Sequence, residues 1–227
     1  MAVLPRVRDV ACVIPALDAG ATLGDVVRAL GESLPGARLI AVDDGSRDDT
    51  HAVARAHCDD VIRFEHNRGK GAALRAGFAA ALDAGASRVL TIDADGQHDA
   101  RFAPDLLAAL DDADVAIGAR ARNVGMPVRR RITNGLATRA VSHIVRASIA
   151  DSQSGYRAFR RVVIEAIDAP GERYEFETEL LIRAAHAGYR ITTVPVPTTY
   201  GAPSHFHPLR DTVRVIRTIW RHRAGAR

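Results

Sequence analysis

Aromatic residues make up only 5% of the chain, with a single tryptophan, and cysteine occurs just twice. A surface that stacks nucleobases in series draws on many aromatics, so a general nucleic-acid binder is disfavoured. Cys12 and Cys58 lack the CxxC spacing of a metal or redox pair, and both read as ordinary thiols. Long apolar runs are missing too. No stretch approaches the roughly 18 residues of a membrane-spanning helix, and the N-terminus has no signal-peptide core, so a cytoplasmic protein is expected. The first apolar run is not followed by the G-x-G-x-x-G turn of a dinucleotide-binding fold, which removes most support for a dehydrogenase. No GxxxxGK[ST] spacing occurs, which argues against a P-loop ATPase.

What is present suffices for one sizeable core: 227 residues, 47% of them hydrophobic and 26% charged. The formal net charge of +4 is unevenly placed. Residues 204–227 carry six arginines against Asp211, a net of +5, which leaves the rest of the chain at about −1. This describes a local basic patch on an otherwise balanced domain.

The first 120 residues alternate short apolar runs with longer amphipathic segments, the pattern of a mostly parallel sheet with helices on both faces. Strands are predicted at 9–14, 38–43, 60–64, 88–93 and 114–118, and helices at 21–34, 48–58, 70–84 and 102–110. Residues 120–131 (RARNVGMPVRRR) read as a basic flap. Beyond it, 133–148 reads as a helix, 152–160 as a turn into a strand, 175–187 as a helix and 190–195 as a last strand.

Ligands of such sheets gather beyond the carboxyl ends of the strands, and there this chain places acids. Asp93 and Asp95 are separated by one small residue, so in extended backbone both point to one side. Carboxylates that close repel one another unless a cation intervenes. A divalent ion bridging them to a diphosphate satisfies that demand, with phosphate oxygens and water completing an oxygen shell around Mg²⁺ or Mn²⁺. An acidic turn in solvent is the bland alternative. After the second strand come Asp43, Asp44, Gly45 and Ser46, where a carboxylate can accept from a nucleobase N–H or a ribose hydroxyl or can cap the next helix. Asn67-Arg68-Gly69-Lys70-Gly71 precedes a helix and reads either as an anion cradle or as a charged turn.

VIPALDAG, AVDDGSRDDT, NRGKGAALRAG and TIDADGQHD occur in the order and spacing found in family 2 inverting glycosyltransferases. The chain most resembles the dolichyl- or polyprenyl-phosphate sugar synthase branch, across nearly all of residues 8–215. The resemblance implies the GT-A (nucleotide-diphospho-sugar transferase) fold, a nucleotide-sugar donor and Mg²⁺ or Mn²⁺. It places Pro15, Ala16, Asp18, Asp43, Asp44, Asp93, Ala94, Asp95 and Arg120 on the nucleotide sugar, and Asp95 with Gln97 on the metal. Asp95, Arg120 and Arg131 are the expected catalytic residues. Asp18 replaces a more usual glutamate, and His205 stands where the branch carries a basic residue. On the acceptor side the expected residues are Arg129, Arg130, Ser154, Arg157, Glu177 and His205. A phosphate acceptor is already ionised at neutral pH and calls for cations rather than a general base.

The expected organisation is a catalytic domain over 1–203, with a nucleotide-binding half at about 8–120 and an acceptor half at about 121–203, followed by a tail at 204–227. In the tail, Arg210, Arg214, Arg217 and Arg221 share one helical face, beside an apolar stripe that includes Trp220. Such a helix suits the surface of an anionic membrane, making the protein peripheral on its inner face. A separate membrane protein would then handle any lipid-linked product. The leading expectation is transfer of a sugar from a UDP or GDP donor to polyprenyl phosphate. The alternatives are a soluble saccharide or another lipid as acceptor, or a non-catalytic partner that binds nucleotide sugar or docks on a membrane protein.

Overall fold

The computed structural model describes residues 9–120, 135, 138–139, 141–145 and 149–197. Of the flap expected at 120–131, Arg120 belongs to a strand and 121–131 lie outside the described residues, as does the tail at 204–227, and with them Arg129, Arg130, Arg131 and His205.

In chain order the elements are β1 (Val10–Ala16), α1 (Gly20–Ser33), β2 (Arg38–Asp43), α2 (Thr50–His57), β3 (Asp60–Arg63), α3 (Lys70–Asp83), β4 (Arg88–Thr91), α4 (Ala103–Ala108), β5 (Val115–Arg120), β6 (Arg157–Arg160), α5 (Arg161–Ala166), α6 (Glu175–His186) and β7 (Ile191–Val196). Residues 141–145 are also helical. The strands form one sheet in the order β3-β2-β1-β4-β6-β5-β7. Every pairing is parallel except the two made by β6. No described helix is long and apolar enough to cross a membrane.

Strand periodicity divides the core between the two faces. In β1, Val10, Cys12, Ile14 and Ala16 pack with Leu23, Val27 and Leu30 of α1 and Leu106 of α4. Ala11 and Val13 face the other way, toward Leu74 and Phe78 of α3, Phe176 and Leu180 of α6, and Val141 and Ile144. Side chains alternate in direction along a strand, so a continuous apolar run serves both layers. Phe78 meets Phe159 edge to face at 5.6 Å. α3 also lies very close to β1, because a Cβ on Gly77 would overlap Val13 Cγ1.

Most predicted elements appear with shifted ends. β1 continues through Pro15 and Ala16, which pair with Val42 and Asp43, so these two residues are strand rather than loop. Pro15 is tolerated there because it comes at the end of the strand. The helix predicted at 102–110 is shorter, with 3₁₀ turns at Ala100–Phe102 and Ala109–Asp111 on either side of α4. α5 was not predicted; its single turn and a half is too short to establish a period.

The lone antiparallel strand shapes the site. β1, β2, β4 and β5 all end on one edge, and β6 runs against β4 and β5, so the turn that precedes β6 reaches that same edge. The end of β7 is there as well, since Arg120 pairs with Val196.

Two outcomes test this packing. Gly77→Ala should cost about 1–2 kcal/mol, overpacking at Val13 outweighing the helix propensity gained; urea unfolding with an unchanged m-value would measure it. Burial pushes the Cys12 thiol up to about 12, and burial aided by Asp59 does the same for Cys58. At pH 8 roughly one thiol in ten thousand would then be thiolate. Neither cysteine should react with iodoacetamide in the native protein, and both should react on unfolding.

Candidate active site

The three acidic loops do meet. Ala16 ends β1 directly beside Asp43 at the end of β2, and Ile92 N, just past β4, donates to Val13 O of β1. The loops after β1 and β2 are tied by a lattice of hydrogen bonds. Asp18 N donates to Ser46 Oγ at 3.0 Å, Arg47 N donates to Asp18 Oδ1 at 2.8 Å, Ala19 N donates to Thr50 Oγ1 at 2.7 Å, and Gly20 N donates to Asp48 Oδ2 at 3.0 Å. Asp18 is held there at φ 46°, left-handed backbone that a non-glycine residue seldom adopts. Its short carboxylate therefore fixes the neighbouring loop while it remains at the surface.

The two acids after β2 have different duties. Asp43 is fully buried, with Oδ1 accepting from Ser46 N at 2.8 Å. Its Oδ2 has Arg63 Nε at 3.4 Å and no hydrogen-bond partner. Asp44 accepts from Arg68 N at 2.7 Å and Gly69 N at 2.9 Å. Burial raises the Asp44 pKa above the ordinary carboxylate value, although those two amide bonds oppose the shift. Both carboxylate oxygens of Asp44, expected on the nucleotide sugar, are thus engaged by backbone amides, and the loop 67–71 is no vacant anion cradle, because the chain's own Asp44 is the anion its amides hold. The glycines serve packing: a Cβ on Gly69 or Gly71 would strike the backbone at 171–172.

The Asp93–Gln97 loop follows β4. Thr22 Oγ1 donates to Ala94 O at 2.6 Å, pinning the loop to α1. Gln97 N donates to Asp95 Oδ1 at 3.0 Å, closing a turn in which Gly96 takes φ 70°. Asp95 is part-exposed and Gln97 buried. Among the described residues no cluster of three or more His, Cys, Asp or Glu side chains could hold a metal unaided. One carboxylate and one amide nevertheless make an oxygen-donor pair of the kind Mg²⁺ or Mn²⁺ accepts, provided a diphosphate and water supply the remaining ligands. The residues fit the ion on that condition.

Asp93 is engaged elsewhere. Lys70 Nζ lies 2.6 Å from Asp93 Oδ1 and 3.0 Å from Glu177 Oε2, with the Tyr174 ring 5.8 Å away. Burial opposes the ammonium charge, but Asp93 and Glu177 outweigh it and hold the lysine pKa well above its ordinary value. Gly155 closes the cluster from above: a Cβ there would collide with Asp93 Oδ2 and Lys70 Nζ. Sequence reasoning named both acids and placed Lys70 in a candidate anion loop, without seeing that it pairs with them. A signal existed, because a lysine in the first turn of a helix opposes the dipole and calls for acidic neighbours.

Around Gly155 the turn 151–157 is built inward. Ser154 is buried, and its Oγ accepts from Tyr156 N at 3.3 Å. Arg157 is also buried and donates to Ser154 O, Glu177 O and Ser152 O at 2.7, 2.6 and 2.9 Å. Arg157, expected on the acceptor side, uses its guanidinium to clamp the turn to α6. Arg120 ends β5 on the site edge.

Acidic loops gathered at the carboxyl edge of a mostly parallel sheet, with one antiparallel strand delivering the opposite wall, define the GT-A class of nucleotide-diphospho-sugar transferases. Residues 11–168 match glycosyl transferase family 2, and the chain belongs to that family. It is 33% identical over 204 residues to a polyprenol monophosphomannose synthase of Mycolicibacterium smegmatis, covering 82% of this chain and 76% of the relative. It is 30% identical over 196 residues to an undecaprenyl-phosphate mannosyltransferase of Micrococcus luteus, covering 81% of each. A solved structure of glucosyl-3-phosphoglycerate synthase from Mycobacterium tuberculosis, in complex with Mn²⁺, UDP and glucosyl-3-phosphoglycerate, superposes with a TM-score of 0.75 at 23% identity. That match covers 95% of this chain and 80% of the other, and it shows the shared fold. The protein is therefore a glycosyltransferase.

Replacing Lys70 by Met leaves buried Glu177 and part-buried Asp93 facing each other and should cost about 3 kcal/mol. The folded pKa of the lysine is raised, so its contribution is complete below about pH 10 and is lost only as pH rises through the folded value. The difference in urea midpoint between wild type and Lys70→Met should therefore be the same at pH 7 and pH 9.

Proposed function

We propose that this glycosyltransferase moves a sugar from a UDP or GDP donor to a polyprenyl phosphate, with inversion at the anomeric carbon and with the help of Mg²⁺ or Mn²⁺. The observation that carries the reading is the convergence of the Asp18, Asp43 and Asp93–Gln97 loops on one sheet edge. The names of the two curated relatives support a polyprenyl-phosphate acceptor.

In this reading Pro15, Ala16, Asp18 and Asp43 hold the nucleoside. The buried Oδ2 of Asp43, with Arg63 Nε at 3.4 Å and His51 Nδ1 at 3.8 Å but no hydrogen bond, suits an N–H of the base or a ribose hydroxyl. Ala94, Asp95 and Arg120 face the diphosphate, and Asp95 with Gln97 hold the cation. When bound, that cation neutralises the charge that develops on the departing nucleoside diphosphate. An acceptor phosphate attacks in line and needs positioning rather than deprotonation. Arg129, Arg130, Arg131 and His205 are the cations assigned to it.

The domain covers 1–203, and the basic tail at 204–227 brings it to the inner face of a membrane, where the acceptor resides. There each arginine near anionic lipid contributes about 1 kcal/mol. A separate membrane protein then carries the product onward.

The test incubates purified protein with labelled UDP- and GDP-sugars, Mn²⁺ or Mg²⁺ and polyprenyl phosphate in vesicles. Labelled lipid should form with wild type and fall at least about a hundredfold with Asp95→Ala, in keeping with loss of a group that stabilises transition-state charge. Equal product from the variant would overturn the role of Asp95. Product on a water-soluble sugar but not on the lipid would overturn the acceptor.

A further inference from the structure

We propose that His98 and Tyr156 are positioning residues for the cation: they seat the far end of the Asp93–Gln97 loop on the turn before β6, so that Asp95 and Gln97 are preset to share Mg²⁺ or Mn²⁺ with a nucleoside diphosphate. The inference deepens the metal-dependent sugar-transfer reading above and rests on it.

The loop is anchored at both ends. At its near end Thr22 Oγ1 of α1 donates to Ala94 O at 2.6 Å. At its far end the buried His98 ring lies against the buried Tyr156 ring, with centroids 5.3 Å apart and planes inclined by 43°, a favourable aromatic separation. Two residues further on, Tyr156 Oη donates to Ala100 O at 3.4 Å. A single tyrosine thus receives the chain through its ring and through its hydroxyl. The segment between the anchors is residues 95–97, closed into a turn by the bond from Gln97 N to Asp95 Oδ1.

Tyr156 is itself held from behind. Its carbonyl accepts from Gly118 N of β5 at 2.8 Å, and its ring lies so near that strand that a Cβ on Gly118 would come within 3.2 Å of Tyr156 Cδ1. It packs in one apolar cluster with Ile92, Ala94 and Ala100, which flank the loop. Next along the chain, Arg157 ties the turn to α6. Beyond the seat, Asp99 Oδ1 accepts from Arg101 N at 3.0 Å and opens the 3₁₀ turn ahead of α4.

One carboxylate and one amide are a sparse set of protein ligands, so their hold on a cation depends on how far they are ordered before it arrives. Groups that orient metal ligands without touching the ion typically change its affinity by about ten- to a hundredfold. Contact between two rings fixes orientation as well as distance. An aliphatic side chain in place of His98 would fill the seat without that constraint.

Calorimetric titration of UDP and of GDP, with saturating Mn²⁺ and again with EDTA, yields the factor by which the cation tightens each nucleotide. By linkage that factor also measures how the nucleotide-bound protein holds the cation. For the nucleotide that wild type binds, the factor should fall about tenfold in His98→Ala and His98→Leu. It should fall about threefold in Tyr156→Phe, which loses only the hydroxyl bond, and His98→Phe should keep most of it. Affinity in EDTA should stay within about twofold of wild type in every variant, a split that a merely structural role would not produce. His98→Leu keeps the seat filled and supplies a folded variant even if His98→Ala does not fold. An unchanged factor in His98→Leu, a loss in His98→Phe as deep as in His98→Leu, or an equal loss in EDTA would overturn the proposal while leaving sugar transfer intact. If Mn²⁺ tightens neither nucleotide on wild type, the metal-dependent reading fails and this one with it.

Discussion

An ammonium held between two carboxylates ties the halves of this protein together. Lys70 stands at the start of α3, Asp93 follows β4 and Glu177 opens α6, so one largely enclosed cation links the parallel half of the sheet to the wall built by β6 and α6. Buried Glu177 and part-buried Asp93 could not stand so near one another without it. Gly155 lies against the same group, which leaves the turn 151–157 no room for a side chain at that point.

Around this group the chain uses its own charged residues to occupy polar groups that loops expose. Asp44 takes the amides of Arg68 and Gly69, Arg157 takes three carbonyls, and Arg75 takes two more. Several residues whose types suggest ligand binding are therefore spent on architecture. Among the described residues, the buried carboxylate oxygens without a hydrogen bond, Asp43 Oδ2, Glu175 Oε2 and Glu177 Oε1, belong to residues of the loop edge and of the wall that faces it. A glycosyltransferase site consists of what is left over once the loops are satisfied.

Much of this was legible in the sequence. Alternating apolar and amphipathic segments gave the strands and helices through β5, because a strand covered on both faces reads as a continuous apolar run. The carboxylates at strand ends were legible for the same reason, since parallel strands direct all their carboxyl ends to one edge. The short α5 and the divided helix around α4 were not, because a helix of one or two turns carries too little period to identify. The partners of Asp44 and Arg157 were also hidden, being 24 and 25 residues away for Asp44 and as far as 20 for Arg157.

The sequence alone determined the class of fold, the edge on which chemistry occurs and the acids found there, since these depend on local hydrophobic period and on which residue ends each strand. Tertiary structure alone decided which charges remain for a ligand. The motif NRGKG reads as an anion cradle or a charged turn until Asp44 is seen within it, and Glu177 reads as an acceptor-side acid until Lys70 is seen beside it. Partner choice among buried charges is set by distances across the fold, and no spacing along the chain records them.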